Sequence, residues 1–391
     1  MPSIVQLLHA MVQKEASDLF ITAGARISLK IDGQLRPTSL PELSAEDAKN
    51  LAYELMTAEQ VRRFEESREM NFGYGLPGVG RFRANVFRQR GAVAMVVRRL
   101  ASEVPTVREL DLPPLLERLS MERRGLLLVV GATGSGKTST MASMIEHRNA
   151  NMVGHILTVE DPIEFVYRHK KSLVNQREVG TDTDSFDVAL LNALRESPDM
   201  IMIGEIRDRT TMEQVINYAN TGHYCLSTLH AINSYQALTR IISFFPLETR
   251  SAVLFDLASC LVGIVAQRLV RTKTGARLPA VEIFLVNYHM RQLIREGRMD
   301  EIREIMEKGT SNEMQTFDQS LVRLLKEGKI DFEEAKANSD SPRQLHLLMD
   351  ADESELTPPL DMAAMLDQRE ATPQSAALPD IELPAGLKLD D

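Results

Sequence analysis

The sequence predicts an α/β chain in which a parallel sheet covered by helices follows a smaller α+β domain and precedes an acidic tail. Three observations predict it. From about residue 105 aliphatic strands alternate with amphipathic helical stretches, which is the pattern of parallel sheets. Before that point the strand-like runs are arranged as hairpins. In residues 340–391 twelve Asp or Glu stand against three Lys or Arg, and six of the seventeen prolines fall in the last fifty residues. The expected divisions are 1–104, 105–338 and 339–391.

Within the first division, Ile4 to Lys14 has apolar residues at helical spacing and Asp18 to Thr22 reads as a short strand. Ile27 to Ile31 alternates apolar and polar, and Asp32-Gly33 is a hairpin turn signal. Helical stretches at Ser44 to Met56, with Ser44 as N-cap, and Ala58 to Glu66 follow. A Gly-rich stretch, Gly73 to Gly80, separates these from two strand-like runs, Arg81 to Gln89 and Ala92 to Leu100. Val104-Pro105 and Leu112-Pro113-Pro114 mark the linker.

The second division opens on Leu126 to Val130, an aliphatic run of the kind buried on both sheet faces. A helix to about His147 and a strand at Ile156 to Glu160 come next. Strands at Met200 to Gly204 and Tyr224 to Leu229 enclose a helix at Thr210 to Ala219. From Leu247 to about Lys336 helices are expected, apart from a strand-like Leu278 to Leu285. The tail reads as disordered, with the apolar cluster Leu345 to Met349 as a short docking helix.

Composition narrows the function classes. The 391 residues carry a net charge of −10, of which the tail holds −9, leaving residues 1–339 near −1. A near-neutral body lacks the basic footprint of a nucleic-acid protein. Cys225 and Cys260 match neither zinc nor redox spacing and read as buried apolar residues. The N-terminus has no signal-peptide layout, and Ala252 to Gln267, the most apolar stretch, is too short to span a bilayer. A soluble chain without direct membrane insertion is expected.

Residues 131 to 138 read Gly-Ala-Thr-Gly-Ser-Gly-Lys-Thr, a full G-x-x-x-x-G-K-[ST] pattern between a buried strand and a helix. Such a loop turns its backbone N–H groups toward phosphate oxygens, and the helix N-terminus adds a positive field. Gly131, Thr133, Gly134, Ser135, Gly136, Lys137, Thr138 and Ser139 are therefore the expected nucleotide cradle. Lys137 should reach the β- and γ-phosphates of ATP, and the Thr138 hydroxyl should hold Mg2+. Met200 to Ile203, Gly204 and Glu205 form an apolar strand ending in a carboxylate, the layout of a Walker B element. Glu160, Asp161 and Glu164 cluster after another strand, where carboxylates can position water and metal. The expected metal set is Thr138, Glu205, Glu160 and Asp161, and Glu164 and Glu205 are both candidates for activating water. His223 and His230 flank one strand and read as γ-phosphate sensors or couplers, His230 with a catalytic share.

Together these segments resemble the secretion-type ATPases of type IV pili and type II secretion, and specifically the PilT/PilU family of pilus retraction motors. The resemblance runs over about residues 1–340 and includes Ala16 to Leu19, the P-loop, the acidic segment, Gly204-Glu205 and the segment His223 to His230. Met290 to Glu296 resembles the retraction family's own helix element through Arg291, Leu293, Ile294, Arg295 and Glu296, and departs from it at Met290 and Gln292. The tail and the P-loop lean towards the accessory, PilU-type motors.

The resemblance implies a PAS-like N-terminal domain, a RecA-like ATPase domain and a homohexamer using ATP and Mg2+. It implies a cytoplasmic motor at the inner-membrane base of the pilus machine, working with a PilT-like partner motor and a pilus platform protein, and no nucleic acid. It also raises the expectation that an arginine among Arg81, Arg83 and Arg99 acts at a neighbouring subunit's phosphates. An extension or type II secretion ATPase and a RecA-like nucleic-acid motor are the alternatives. The first usually carries a four-cysteine zinc element, which this chain lacks.

Overall fold

A computed structural model of the chain describes residues 2–100, 103–307 and 313–350. The acidic tail expected over 339–391 therefore falls outside the described residues beyond Asp350.

The N-terminal elements are α1 (Ile4–Gln13), β1 (Asp18–Thr22), β2 (Arg26–Ile31), β3 (Gln34–Glu42), α2 (Ala45–Glu54), α3 (Ala58–Ser67), β4 (Glu69–Leu76), β5 (Gly80–Gln89) and β6 (Ala92–Arg99). The six strands form one antiparallel sheet in the order β3-β2-β1-β6-β5-β4. Asp32 and Gly33 both take positive φ, 52° and 77°, as a two-residue hairpin turn joining right-twisted strands requires. Ser44 and Thr57 each close a capping box at the start of α2 and α3, satisfying N–H groups the helix leaves unpaired. Leu8, Met11, Leu19, Ile21, Phe64, Phe82 and Met95 are fully buried in the core that sheet and helices share.

Two strands here differ from expectation. Gln34–Glu42 carries Pro37 and Pro41 yet pairs with β2, which is tolerated because β3 is an edge strand. Glu69–Leu76, which overlaps the Gly-rich stretch, is the opposite edge strand, β4.

The remaining elements are α4 (Leu115–Ser120), β7 (Gly125–Val130), α5 (Lys137–Asn151), β8 (Gly154–Glu160), β9 (Ser172–Glu178), α6 (Phe186–Ala193), β10 (Met200–Ile203), α7 (Arg209–Asn220), β11 (Tyr224–Leu229), α8 (Ser234–Ser243), α9 (Arg250–Cys260), β12 (Leu261–Arg271), β13 (Arg277–Leu285), α10 (Tyr288–Glu296), α11 (Met299–Glu307), α12 (Phe317–Lys326), α13 (Phe332–Asn338) and α14 (Pro342–Asp350). Seven strands form a second sheet, β13-β12-β7-β11-β10-β8-β9, parallel throughout except where β13 runs against β12. Every residue of β7, β10 and β11 is buried. Leu126, Leu128 and Val130 face a core that includes α7 and α9. Leu127 and Val129 face Met141, Met144 and Ile145 of α5 on the other side.

The helical expectation for Leu247 onward holds for α9 but not for β12. Chain direction changes at Cys260–Leu261 with no Gly or Pro between helix and strand, and a continuous apolar run fits both. At the far end α14 docks by Leu345, which is fully buried. Its start is fixed by Asp318, whose carboxylate accepts from Ser339 Oγ at 2.6 Å and from the N–H groups of Asp340 and Ser341 at 3.0 and 3.2 Å. Among the described residues no helix is long and apolar enough to cross a membrane.

Candidate active site

The middle strands of the second sheet set the site. β7, β11, β10 and β8 are neighbours and parallel, so the segments leaving their C-terminal ends meet at one rim, where open parallel sheets bind ligands. The P-loop leaves β7, His230 leaves β11, Gly204-Glu205 leaves β10 and Glu160-Asp161 leaves β8. They enclose a cavity of about 390 Å3 lined by Thr133, Gly134, Gly136, Lys137, Thr138, Ser139, Glu160, Asp161, Glu164, Glu205 and His230. Phe165, Tyr167, Phe186, Met141 and Met202 give it apolar walls.

The loop's glycines are required by its geometry. Gly136 sits at φ 90° as the N-cap of α5, and a Cβ there would lie 2.8 Å from Gln267 Nε2. A Cβ on Gly131 would lie 2.5 Å from the Gln267 carbonyl oxygen. Gln267 also accepts from Thr140 Oγ1 at 2.7 Å, so β12 braces the loop and the first turns of α5.

The Lys137 ammonium donates to the carbonyls of Gly131 and Ala132 at 3.0 and 2.9 Å. Burial lowers its pKa, opposed by the charge of Glu205. A buried, poorly solvated cation facing a cavity is primed for an anion. Burial opposes ionisation of Glu205, but the hydrogen bond and charge of Arg207, joined by His230, outweigh it and hold the carboxyl below its usual range. His230 Nε2 lies 3.4 Å from Glu205 Oε2, and Arg207 pairs with Glu205 on its other oxygen.

Glu160 differs from its neighbours. Burial raises its pKa, and its Oε1 accepts from Thr158 Oγ1 at 2.7 Å and Gln176 Nε2 at 3.0 Å. Asp161 lies 3.7 Å from Arg207. No cluster of three or more His, Cys, Asp or Glu side chains able to hold a metal is found among the described residues. The all-oxygen set of the Thr138 hydroxyl and the Glu205 carboxylate nonetheless fits Mg2+, which keeps several waters and shares substrate phosphates.

Not every expected residue reaches the cavity. His223 is at the opposite end of β11, roughly 23 Å from His230 at strand rise, with its Nδ1 3.3 Å from Thr221 Oγ1 and the Tyr218 carbonyl. Arg81 is engaged within its own chain, 2.8 Å from Glu178, while Arg83 and Arg99 lie half-buried on the N-terminal sheet. Leu293 and Ile294 of α10 are buried, Arg291 is half-buried and Glu296 pairs with Arg298. Arg295 stacks on Phe255 at 4.7 Å. The residues that sequence reasoning missed are Gln267, Arg207 and the aromatic wall. Arg207 was the legible one, two residues after Glu205.

The family model described as "Type II/IV secretion system protein" matches residues 1–315. The type IV pilus ATPase PilU of Pseudomonas aeruginosa is 47% identical over 345 residues, 88% of this chain and 90% of that protein. The type IV pilus retraction ATPase PilT of the same bacterium is 39% identical, over 87% of this chain and 98% of that protein. A crystal structure of the pilus retraction motor PilT with bound ADP superposes with a TM-score of 0.83 at 42% identity, covering 89% of this chain and all of that one. The chain thus belongs to the type II/IV secretion system protein family, and within it to the PilT/PilU group of ATPases.

Proposed function

We infer that the protein is an ATP-hydrolysing motor of type IV pilus retraction. The observation that carries this is the convergence of P-loop, Glu205, Glu164 and His230 on one cavity in a chain 47% identical to PilU and 39% identical to PilT. That difference in identity favours the accessory, PilU-type role beside a PilT-like motor.

Each residue has a task. The loop N–H groups and Lys137 bind and orient the phosphates. Thr138 and Glu205 would hold Mg2+ directly or through water, and Mg2+ supplies charge neutralisation at the phosphates. Glu164 accepts a proton from the attacking water or orients it. His230, against Glu205, reports the state of the γ-phosphate. Asp161 and the buried Glu160 support this rim. A neighbouring subunit of a homohexamer would contribute Arg83 or Arg99, since Arg81 is already paired. His223 and the α10 residues Arg291 and Arg295 lie outside the chain's own cavity and fit a coupling role. The cytoplasmic base of the pilus machine, against its inner-membrane platform protein, is the proposed place of work.

The test is retraction force in cells carrying a Glu205→Gln allele in place of the wild type. The expected result is weakened retraction with normal pilus assembly. Unchanged retraction, with purified protein whose turnover rises on adding DNA, would transfer the chain to the nucleic-acid motors.

A further inference from the structure

Glu178, at the end of β9, has no part in the chemistry above, yet it is the most completely bonded carboxylate at the rim. It is 1% exposed, and four donors from three separate segments meet on its two oxygens. Oε1 accepts from the Gly73 N–H at 3.1 Å and from Thr181 Oγ1 at 3.2 Å. Oε2 accepts from Arg81 Nη2 at 2.8 Å and from the Ile163 N–H at 3.1 Å. A buried carboxylate is tolerable only when its lone pairs are satisfied in this way.

The donors are not a random set. Gly73 and Arg81 belong to β4 and β5 of the N-terminal sheet, whereas Ile163 immediately precedes Glu164 in the acidic segment. Glu178 is also the register partner of Glu160, and the Val179 N–H donates to the Glu160 carbonyl at 2.9 Å. A Cβ on Gly73 would lie 2.9 Å from both Glu178 oxygens, so the two sheets touch here and a side chain at this position must displace the Glu178 carboxylate.

We propose that Glu178 is a positioning residue that ties the acidic segment, and with it Glu164, to the seating of the N-terminal sheet through Arg81 and Gly73. Hydrolysis then proceeds at full rate only while that sheet is docked. A shift of the sheet withdraws Arg81, leaves a buried charge short of donors and lets the Ile163–Glu164 backbone move. This rests on the reading of Glu164 as the residue that prepares the attacking water.

The experiment compares full-length Gly73→Ala, Arg81→Ala, Arg81→Lys, Glu178→Gln and the Arg81→Ala/Glu178→Gln double variant. Steady-state ATP turnover, affinity for a non-hydrolysable ATP analogue and thermal midpoint are measured on each. Misplacing a catalytic group by about 1 Å predicts a kcat lower by roughly tenfold to a hundredfold, with analogue affinity within about twofold of wild type. Arg81→Lys should recover part of the loss, and the double variant should be no slower than the slower single one.

Gly73→Ala keeps the test open if the charge variants fail to fold, because it removes no charge and no arginine. Wild-type kcat in folded variants overturns the proposal. So do losses that multiply in the double variant, which would mean that Arg81 acts elsewhere, such as on a neighbour's phosphate. Glu164→Gln is run alongside. Full turnover there would remove the role given to Glu164, whereas lost turnover there with unaffected Gly73, Arg81 and Glu178 variants would remove only the role given to Glu178.

Discussion

Replacing Lys137 by Ala removes one charge from the phosphate cradle, and the structure fixes how much that charge should matter. A unit charge pair at about 4 Å is worth about 1 kcal/mol in water and about 4 kcal/mol at an effective dielectric near 20. Lys137 is 9% exposed and burial already depresses its pKa, so the larger value applies. If that energy is expressed in the transition state, turnover should fall about a thousandfold. The fold should barely respond. The carbonyls of Gly131 and Ala132 lose a donor, but Lys137 lines the cavity and water can enter the space its ammonium leaves, so the thermal midpoint should move by no more than about 3 °C. The assay is phosphate release at saturating Mg-ATP, with circular dichroism on the same preparation. A folded Lys137→Ala protein turning over within about fivefold of wild type, the loss expected in plain water, would refute the placement of Lys137 at the phosphates.

Two further outcomes follow from charge and burial. Arg207 helps hold the Glu205 carboxyl below the ordinary glutamate value of 4.5, so Glu205 stays ionised well into acid and turnover falls only as pH drops through that lowered value. Arg207→Ala should move this acid limb upward, read from kcat against pH, and an unmoved limb would mean that Glu205 does not set it. Glu282 is the opposite case: burial raises its pKa, partly offset by bonds from Ser234. A carboxyl whose folded pKa is raised costs stability as pH climbs past its unfolded value. Glu282→Gln should therefore gain in thermal midpoint over wild type at pH 8 and lose that gain near pH 4, and a gain independent of pH would contradict this.

The legible part of this molecule was the part written in contiguous residues. The P-loop, the Met200–Glu205 strand and the acidic segment each carry their pattern within eight residues or fewer, and the alternation of strands and helices placed their strand ends on one rim. What escaped was set by partners distant in sequence. Thr140 and Gln267 are 127 residues apart, so nothing local marks Gln267 as the brace behind the P-loop. Arg81 and Glu178 are 97 apart, and Arg81 alone reads as one arginine in a basic strand. β12 was hidden because the apolar run from Ala252 serves as helix until Cys260 and as buried strand from Leu261. β4 was hidden because its glycines signal a loop in isolation, while Gly73 permits the close approach to Glu178.

The most direct test of the account is ATP turnover of the wild-type protein beside Glu205→Gln, with particle mass recorded on both in ATP. Hydrolysis by a wild-type particle of about six subunits is expected, with a variant that assembles and binds ATP but turns over at least about a hundredfold more slowly. A Glu205→Gln protein hydrolysing ATP at the wild-type rate would contradict it.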